Sequence, residues 1–261
     1  MPTPIARPPK KSTLSPTAPP LHPFDDMHGV DTGDLIPATR LLTGHPSDAH
    51  VTAYYGVAPS ILRTLIERWL EVTRHPIDQY TFIDIGAGKG RAMLVASQLP
   101  FRHVLGVELN PTLASIARQN ITHFISTHTA DPTAPPLSTV ELLERDALTL
   151  QLPTSPTLLF LFHPFEAPLL KQLLRQIETQ LARVPGAILD ILYVNAECAS
   201  TLDLNPAFIR LWLGSVHMSP EDHAAEIALI ATQKEYGSTG DEECAIYRYI
   251  GRSRRASSPT E

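Results

Sequence analysis

From Ser60 the apolar positions Leu62, Leu65, Ile66, Trp69 and Val72 recur at helical spacing, which predicts an amphipathic helix with Ser60 as its N-cap. Residues 80–85 form a short β-prone run ending in glycines, and 92–96 have helical character, so strand, glycine turn and helix follow one another. Residues 103–108 read as a second strand. Asn110 then caps a helix with Pro111 at its first position and Leu113, Ile116, Ala117 and Ile121 on one face. A Pro-rich loop over 131–138 leads to a third strand near 140–144, ending at Asp146. Residues 157–162 are almost entirely apolar, as a parallel strand buried on both faces must be. Pro168 opens a helix carrying Leu169, Leu170, Leu173, Leu174, Ile177 and Leu181, and 187–194 make a fifth strand. Beyond it, 208–216 read as a strand, Ser219-Pro220-Glu221-Asp222 as a helix start, and 244–250 alternate like a final strand. This alternation predicts an α/β fold: a doubly wound, mostly parallel seven-strand sheet with helices on both faces.

The ends read differently. Residues 1–24 hold eight prolines and few apolar side chains, too little to offset the entropy of ordering, so they are expected to be a disordered Pro-rich tail. Residues 25–44 are read as a linker, 45–251 as the folded domain, and 252–261, with Arg252, Arg254 and Arg255, as a second short tail. Hydrophobic residues make up 43% and charged residues 18% of the 261, which excludes collagen-like, coiled-coil and wholly disordered chains. A net charge of −6 weighs against nucleic acid as a partner. Cys198 and Cys244 stand alone, which argues against a disulfide framework, a cysteine zinc site or a redox pair. No signal-peptide core and no run near ~18 apolar residues is present, so a soluble, cytoplasmic protein is expected.

Asp84-Ile85-Gly86-Ala87-Gly88-Lys89-Gly90 lies where the first strand hands over to its helix, at the crevice where open α/β sheets bind ligands. A phosphate-gripping loop fails here: its first glycine would fall at Ile83, and Gly90 follows the lysine where Ser or Thr is required. A dinucleotide fingerprint matches Gly86 and Gly88 but puts Arg91 where a small residue packs helix on strand. An acid-x-Gly-x-Gly-x-Gly pattern is filled at every place, with Asp84 suited to a ligand bearing an ammonium group. Lys89 is expected to face solvent.

These residues resemble the class I S-adenosylmethionine-dependent methyltransferases over about residues 54–195, through the glycine turn, through Glu108 at the end of the second strand, and through Arg145-Asp146-Ala147 after the third. The resemblance implies S-adenosylmethionine as cofactor, held by Tyr55, Asp84, Gly86, Ala87, Gly88, Gly90, Glu108, Asp146 and Ala147. Glu108 would take the ribose hydroxyls and Asp146 the adenine amino group. Residues 54–59 also resemble the Tyr-x-Pro-Ser/Thr segment of some seven-strand protein lysine methyltransferases, which covers the methionine end of the cofactor. An aromatic face there would attract a sulfonium.

Methyl transfer is an in-line displacement that needs a positioned, unprotonated nucleophile in a dry pocket. The fourth strand ends in Phe162-His163-Pro164-Phe165, which resembles the Asn/Asp-Pro-Pro-aromatic motif of amino-group methyltransferases with His163 in place of the acid or amide. His163 is the candidate proton acceptor beside the reacting atom, and Phe165 a candidate wall of the acceptor pocket. His123 and His128 are off the spacing of a helical metal pair, and no metal is expected. The acceptor expected is a protein lysine or a small molecule, with no membrane partner. The rival readings are a nicotinamide-dependent oxidoreductase and a non-catalytic nucleoside-binding adaptor working through its Pro-rich tail.

Overall fold

The computed structural model describes residues 21–231 and 237–251; the two expected tails fall outside these except for 21–24. In chain order the elements are α1 (Pro23–His28), β1 (Leu35–Ile36), β2 (Tyr54–Tyr55), α2 (Pro59–Leu70), β3 (Thr81–Ile85), α3 (Arg91–Ser97), β4 (His103–Glu108) and α4 (Pro111–Ala130). They continue with β5 (Val140–Glu144), β6 (Thr157–Phe162), α5 (Ala167–Leu181), β7 (Leu189–Val194), α6 (Ala199–Asp203), β8 (Phe208–His217), α7 (Pro220–Ile230) and β9 (Asp241–Tyr249).

Seven strands form one sheet in the order β5-β4-β3-β6-β7-β9-β8, five of them parallel and β9 antiparallel to both neighbours. The order reverses at β3, between β4 and β6, which places a crevice at the carboxyl ends of these three strands. The period-2 alternation of the strands splits the core. Phe82, Val104, Phe160, Leu192 and Ile246 pack against α2, α3 and α4 on one face, while Ile83, Leu105, Leu161, Ile191 and Tyr247 pack against α5 and α6 on the other. The doubly wound, mostly parallel sheet is therefore the one its sequence predicts.

Helix α2 starts two residues earlier than the spacing indicated. Ala58 is its N-cap and Pro59 its first residue. Ser60 instead receives the Ser219 amide on its hydroxyl (2.9 Å) and gives its own amide to Asp222 (2.8 Å), joining α2 to α7. Asn110 caps α4 as expected, accepting the Thr112 and Leu113 amides.

Residues 21–44 are where tail and linker were expected, and here the chain is built into the fold. Pro23 and Phe24 begin α1; Phe24, Asp25, Val30, Thr32 and Leu35 are buried, and β1 pairs antiparallel with β2. Local patterning hid this segment because its ordering comes from bonds to distant residues rather than from an apolar stripe of its own.

Candidate functional site

The glycine turn is shaped by its own backbone. Gly86, Gly88 and Gly90 hold φ of 75°, 55° and 91°, a left-handed region costly for other residues. The Gly86 and Ala87 amides bond to the Val107 carbonyl (2.9 and 3.0 Å), and the Gly90 amide to the Ala87 carbonyl (2.8 Å). Gly88 gives its amide to Glu108 Oε2 (2.7 Å), whose Oε1 accepts the Asn110 amide (2.7 Å). These amides are thus already satisfied, and the turn does not offer them to a pyrophosphate.

Two acids are buried at the crevice. Asp84 is 3% exposed, and burial, followed by the Glu108 charge, pushes its carboxyl up to about 8. Among the described residues it has no hydrogen-bond or ion-pair partner. Glu108, also buried, is likewise raised by burial, against the opposing pull of the amides it accepts. The turn's own cation looks elsewhere: Lys89, expected at the surface, is 2% exposed and is paired with Asp31 and Asp34 on the N-terminal segment.

A pocket opens over this floor, lined by Gly86, Gly88, Glu108, Asp146 and Ala147 together with Tyr54 and Tyr55. Asp146 accepts the Leu148 amide (2.9 Å) and stands 3.8 Å from His45 Nε2. Pro164 and Phe165 close the pocket from the end of β6, and Phe165 pairs with Val51; Phe165 lines this pocket. Asp84, Ala87 and Gly90 are not in the lining. Ala87 backs the turn, and Gly90 caps α3 where a Cβ would meet Ala117 at 3.5 Å.

The roof was not foreseen. Leu41, Thr43, Ser47, Asp48, Val51 and Thr52 cover the pocket. The roof is pinned by Asn110 on the Leu41 carbonyl (2.9 Å), by His50 on Glu166 (3.1 Å) and by Thr52 on the His163 carbonyl (2.7 Å). Thr43-Gly44-His45-Pro46-Ser47-Asp48 carried a local signal: Asp48 accepts the Thr43, Gly44 and His45 amides, a turn chemistry visible in the residue types.

A second cleft adjoins the pocket and shares Thr52, Ala53, Tyr55 and Phe162 with it. His163 lies here, at φ 39°, a strained conformation at the end of β6. Its Nδ1 is 3.4 Å from the Tyr193 hydroxyl and its Nε2 3.6 Å from Glu197. Glu226, 8% exposed, accepts the Tyr55 hydroxyl (2.8 Å) and the Ser238 hydroxyl. Glu242 is pushed up to about 7 by burial, then by the charges of Glu226 and Glu197. These carboxylates come from three elements far apart in sequence, which is why no local motif announced them.

Sheet order, crevice and acidic glycine pocket together define the fold of the class I S-adenosylmethionine-dependent methyltransferases. No family model matches the chain. Over 41 residues it is 51% identical to the ribosomal protein L11 methyltransferase of Clostridium perfringens, a stretch covering 16% of this chain and 13% of that one. Among solved structures it is similar to the N-methyltransferase NodS of Bradyrhizobium japonicum in complex with S-adenosylhomocysteine, at 12% identity and TM-score 0.46 over 72% of this chain and 85% of that one. It is also similar to the [4+2]-cyclase SpnF, at 14% identity and TM-score 0.46 over 75% and 82% of the two chains. TrmN from Thermus thermophilus aligns at 16% identity and TM-score 0.45 over 74% and 49%. These likenesses concern the backbone arrangement alone.

The state of Asp84 has a measurable consequence. A carboxyl raised above its unfolded value holds a proton in the folded chain that the unfolded chain has released, so stability declines as pH rises from about 4 toward about 8. Urea unfolding between pH 6 and pH 9 is expected to show a smaller decline for Asp84→Asn than for the parent. Equal declines would place the Asp84 carboxyl in water.

Proposed function

We propose that the chain transfers a methyl group from S-adenosylmethionine to an amine, in the cytoplasm. The observation that carries this reading is the acidic lining of the pocket, where Glu108, Asp48 and Asp146 outnumber Arg145, with Asp84 buried at the end of β3 beside it. A pocket of that lining, with its turn amides spent, fits a ligand that brings an ammonium and ribose hydroxyls, and it disfavours a pyrophosphate. This favours S-adenosylmethionine over a nicotinamide dinucleotide.

When bound, S-adenosylmethionine supplies an electrophilic methyl on a sulfonium. The residues of the chain then have separable tasks. Asp84, buried at the end of β3, is assigned the ammonium end; Glu108 retains free lone pairs for the ribose hydroxyls while anchoring Gly88 and Asn110, and Asp146 is assigned the adenine side. The roof over 41–52 excludes water. On the acceptor side, no lysine or arginine among the described residues lines the cleft, whereas Glu197, Glu226, Asp241 and Glu242 do. That lining draws in a protonated amine, such as a lysine side chain or a small amine, and disfavours RNA or DNA. The amine must lose its proton before attack, and His163, oriented by Tyr193 and Glu197, is placed to take it.

Turnover of S-adenosylmethionine tests the reading. S-adenosylhomocysteine formation is expected to rise with lysine-containing peptides or small amines; stimulation by RNA alone would reverse the acceptor assignment. Glu108→Ala is expected to weaken S-adenosylhomocysteine binding by about 1.5–3 kcal/mol, read by calorimetry. A change of a few tenths would mean that Glu108 serves only Gly88 and Asn110.

A further inference from the structure

Lys89 sits inside the glycine turn, yet its ammonium leaves the pocket to bond Asp31 Oδ1 (2.8 Å) and Asp34 Oδ2 (2.6 Å). The lysine is 2% exposed, while the two carboxylates are 64% and 58% exposed. Burying an ammonium is costly unless it is paired, so this position of Lys89 requires the segment 31–34 to be docked. Asn120 of α4 completes the junction: its Oδ1 accepts the Asp31 amide (2.9 Å), and its side-chain amide donates to the carbonyls of Asp31 (2.7 Å) and Lys89 (2.9 Å). Arg91, next along the turn, gives Nε to the Thr32 hydroxyl (2.7 Å) and Nη1 to the Gly56 carbonyl (3.1 Å).

Tyr54 transmits this junction to the pocket. Its hydroxyl donates to the Thr32 carbonyl (2.8 Å) and accepts the Lys89 amide, and its ring lines the pocket against Gly88. If 31–34 lifts, Tyr54 loses its anchor and the wall beside Gly88 is free to move. Lifting also returns Lys89 to water, and that hydration offsets part of the lost pairing, the aspartates being largely hydrated already. Asp34 holds φ 82°, a conformation that relaxes on lifting.

We propose that Lys89 is a positioning residue whose clasp on Asp31 and Asp34 docks residues 31–34, holds Tyr54 as a wall of the cofactor pocket, and so governs how fast the cofactor leaves. This inference rests on the cofactor reading above, and its test separates the two.

The experiment measures S-adenosylhomocysteine dissociation by stopped flow for the full chain and for Asp31→Asn/Asp34→Asn. Dissociation is expected to be about tenfold faster in the variant, the scale of a lost charged hydrogen bond. In the parent it should accelerate severalfold between about 50 and 500 mM NaCl as the exposed carboxylates are screened, and in the variant it should not respond. A merely structural contact would leave the salt response of the two proteins alike. Binding by both proteins at rates within twofold overturns the clasp and leaves the cofactor reading standing. Failure of the parent to bind removes the cofactor reading and the clasp with it. Hydrogen exchange of the parent gives a check independent of the variant's folding: S-adenosylhomocysteine should protect 31–34 and 54–56 together, and unchanged exchange at 31–34 overturns the clasp.

Discussion

Gly88→Val is expected to abolish detectable S-adenosylhomocysteine binding and to lower stability by about 3–5 kcal/mol. A Cβ at position 88 would stand 2.2 Å from Tyr54 Cε2 and 2.6 Å from Cδ2. The ring cannot retreat cheaply, because Tyr54 is buried and its hydroxyl is bonded to the Thr32 carbonyl. A β-branched residue at φ 55° adds strain of about 1–3 kcal/mol, and forced overpacking adds about 1–3 more. Binding suffers as well as stability, since the Gly88 amide holds Glu108 in place. Urea unfolding and calorimetry on the same preparation read both effects; a variant that unfolds and binds like the parent would contradict the contact between Tyr54 and the turn. The first obstacle is thus a protein side chain, not a ligand.

Asp190→Ala is expected to cost about 3–5 kcal/mol of stability while leaving the pocket untouched. Asp190 is fully buried on β7, where it accepts Arg248 Nε (2.7 Å) and Nη2 (2.9 Å) and the Trp69 indole N–H (2.9 Å). One carboxylate thus ties β9 and α2 to the middle of the sheet. Removing it strands a guanidinium that is 11% exposed and an indole N–H that has no exposure. The midpoint of urea unfolding should fall with little change in slope. The pair Asp190→Leu/Arg248→Met should regain much of the loss, because apolar groups of similar volume need no partner. A single-variant loss below about 1 kcal/mol would mean that water reaches Arg248.

How much of this was legible beforehand depends on where the information lies in the chain. The strands β3, β4, β6 and β7 and the helices α4 and α5 follow from local periodicity and caps, because each buries a stripe or face encoded within its own residues. Gly86, Gly88, Glu108 and Asp146 were legible for the same reason: strand ends and tight turns constrain residue types locally. The segment 21–53 was not. Its order comes from Lys89, Arg91, Asn110, Asn120 and His163, residues far away in sequence. Arg91 spoke against a dinucleotide site by its size, and the structure supplies the reason it is tolerated: its side chain leaves the helix–strand contact to bond Thr32 and Gly56. The acidic cleft was equally hidden, because Glu197, Glu226 and Glu242 meet only after β7, α7 and β9 are assembled.

The central claim is that the acidic glycine pocket holds S-adenosylmethionine. Calorimetric titration of the full chain with S-adenosylhomocysteine, run beside one with NADH, tests it most directly. Micromolar binding of S-adenosylhomocysteine, with about 2.7 kcal/mol of added stability at 100 times its Kd and no response to NADH, is the predicted result. NADH binding without S-adenosylhomocysteine binding would contradict the account, since it would require pyrophosphate to enter a pocket lined by Glu108, Asp48 and Asp146.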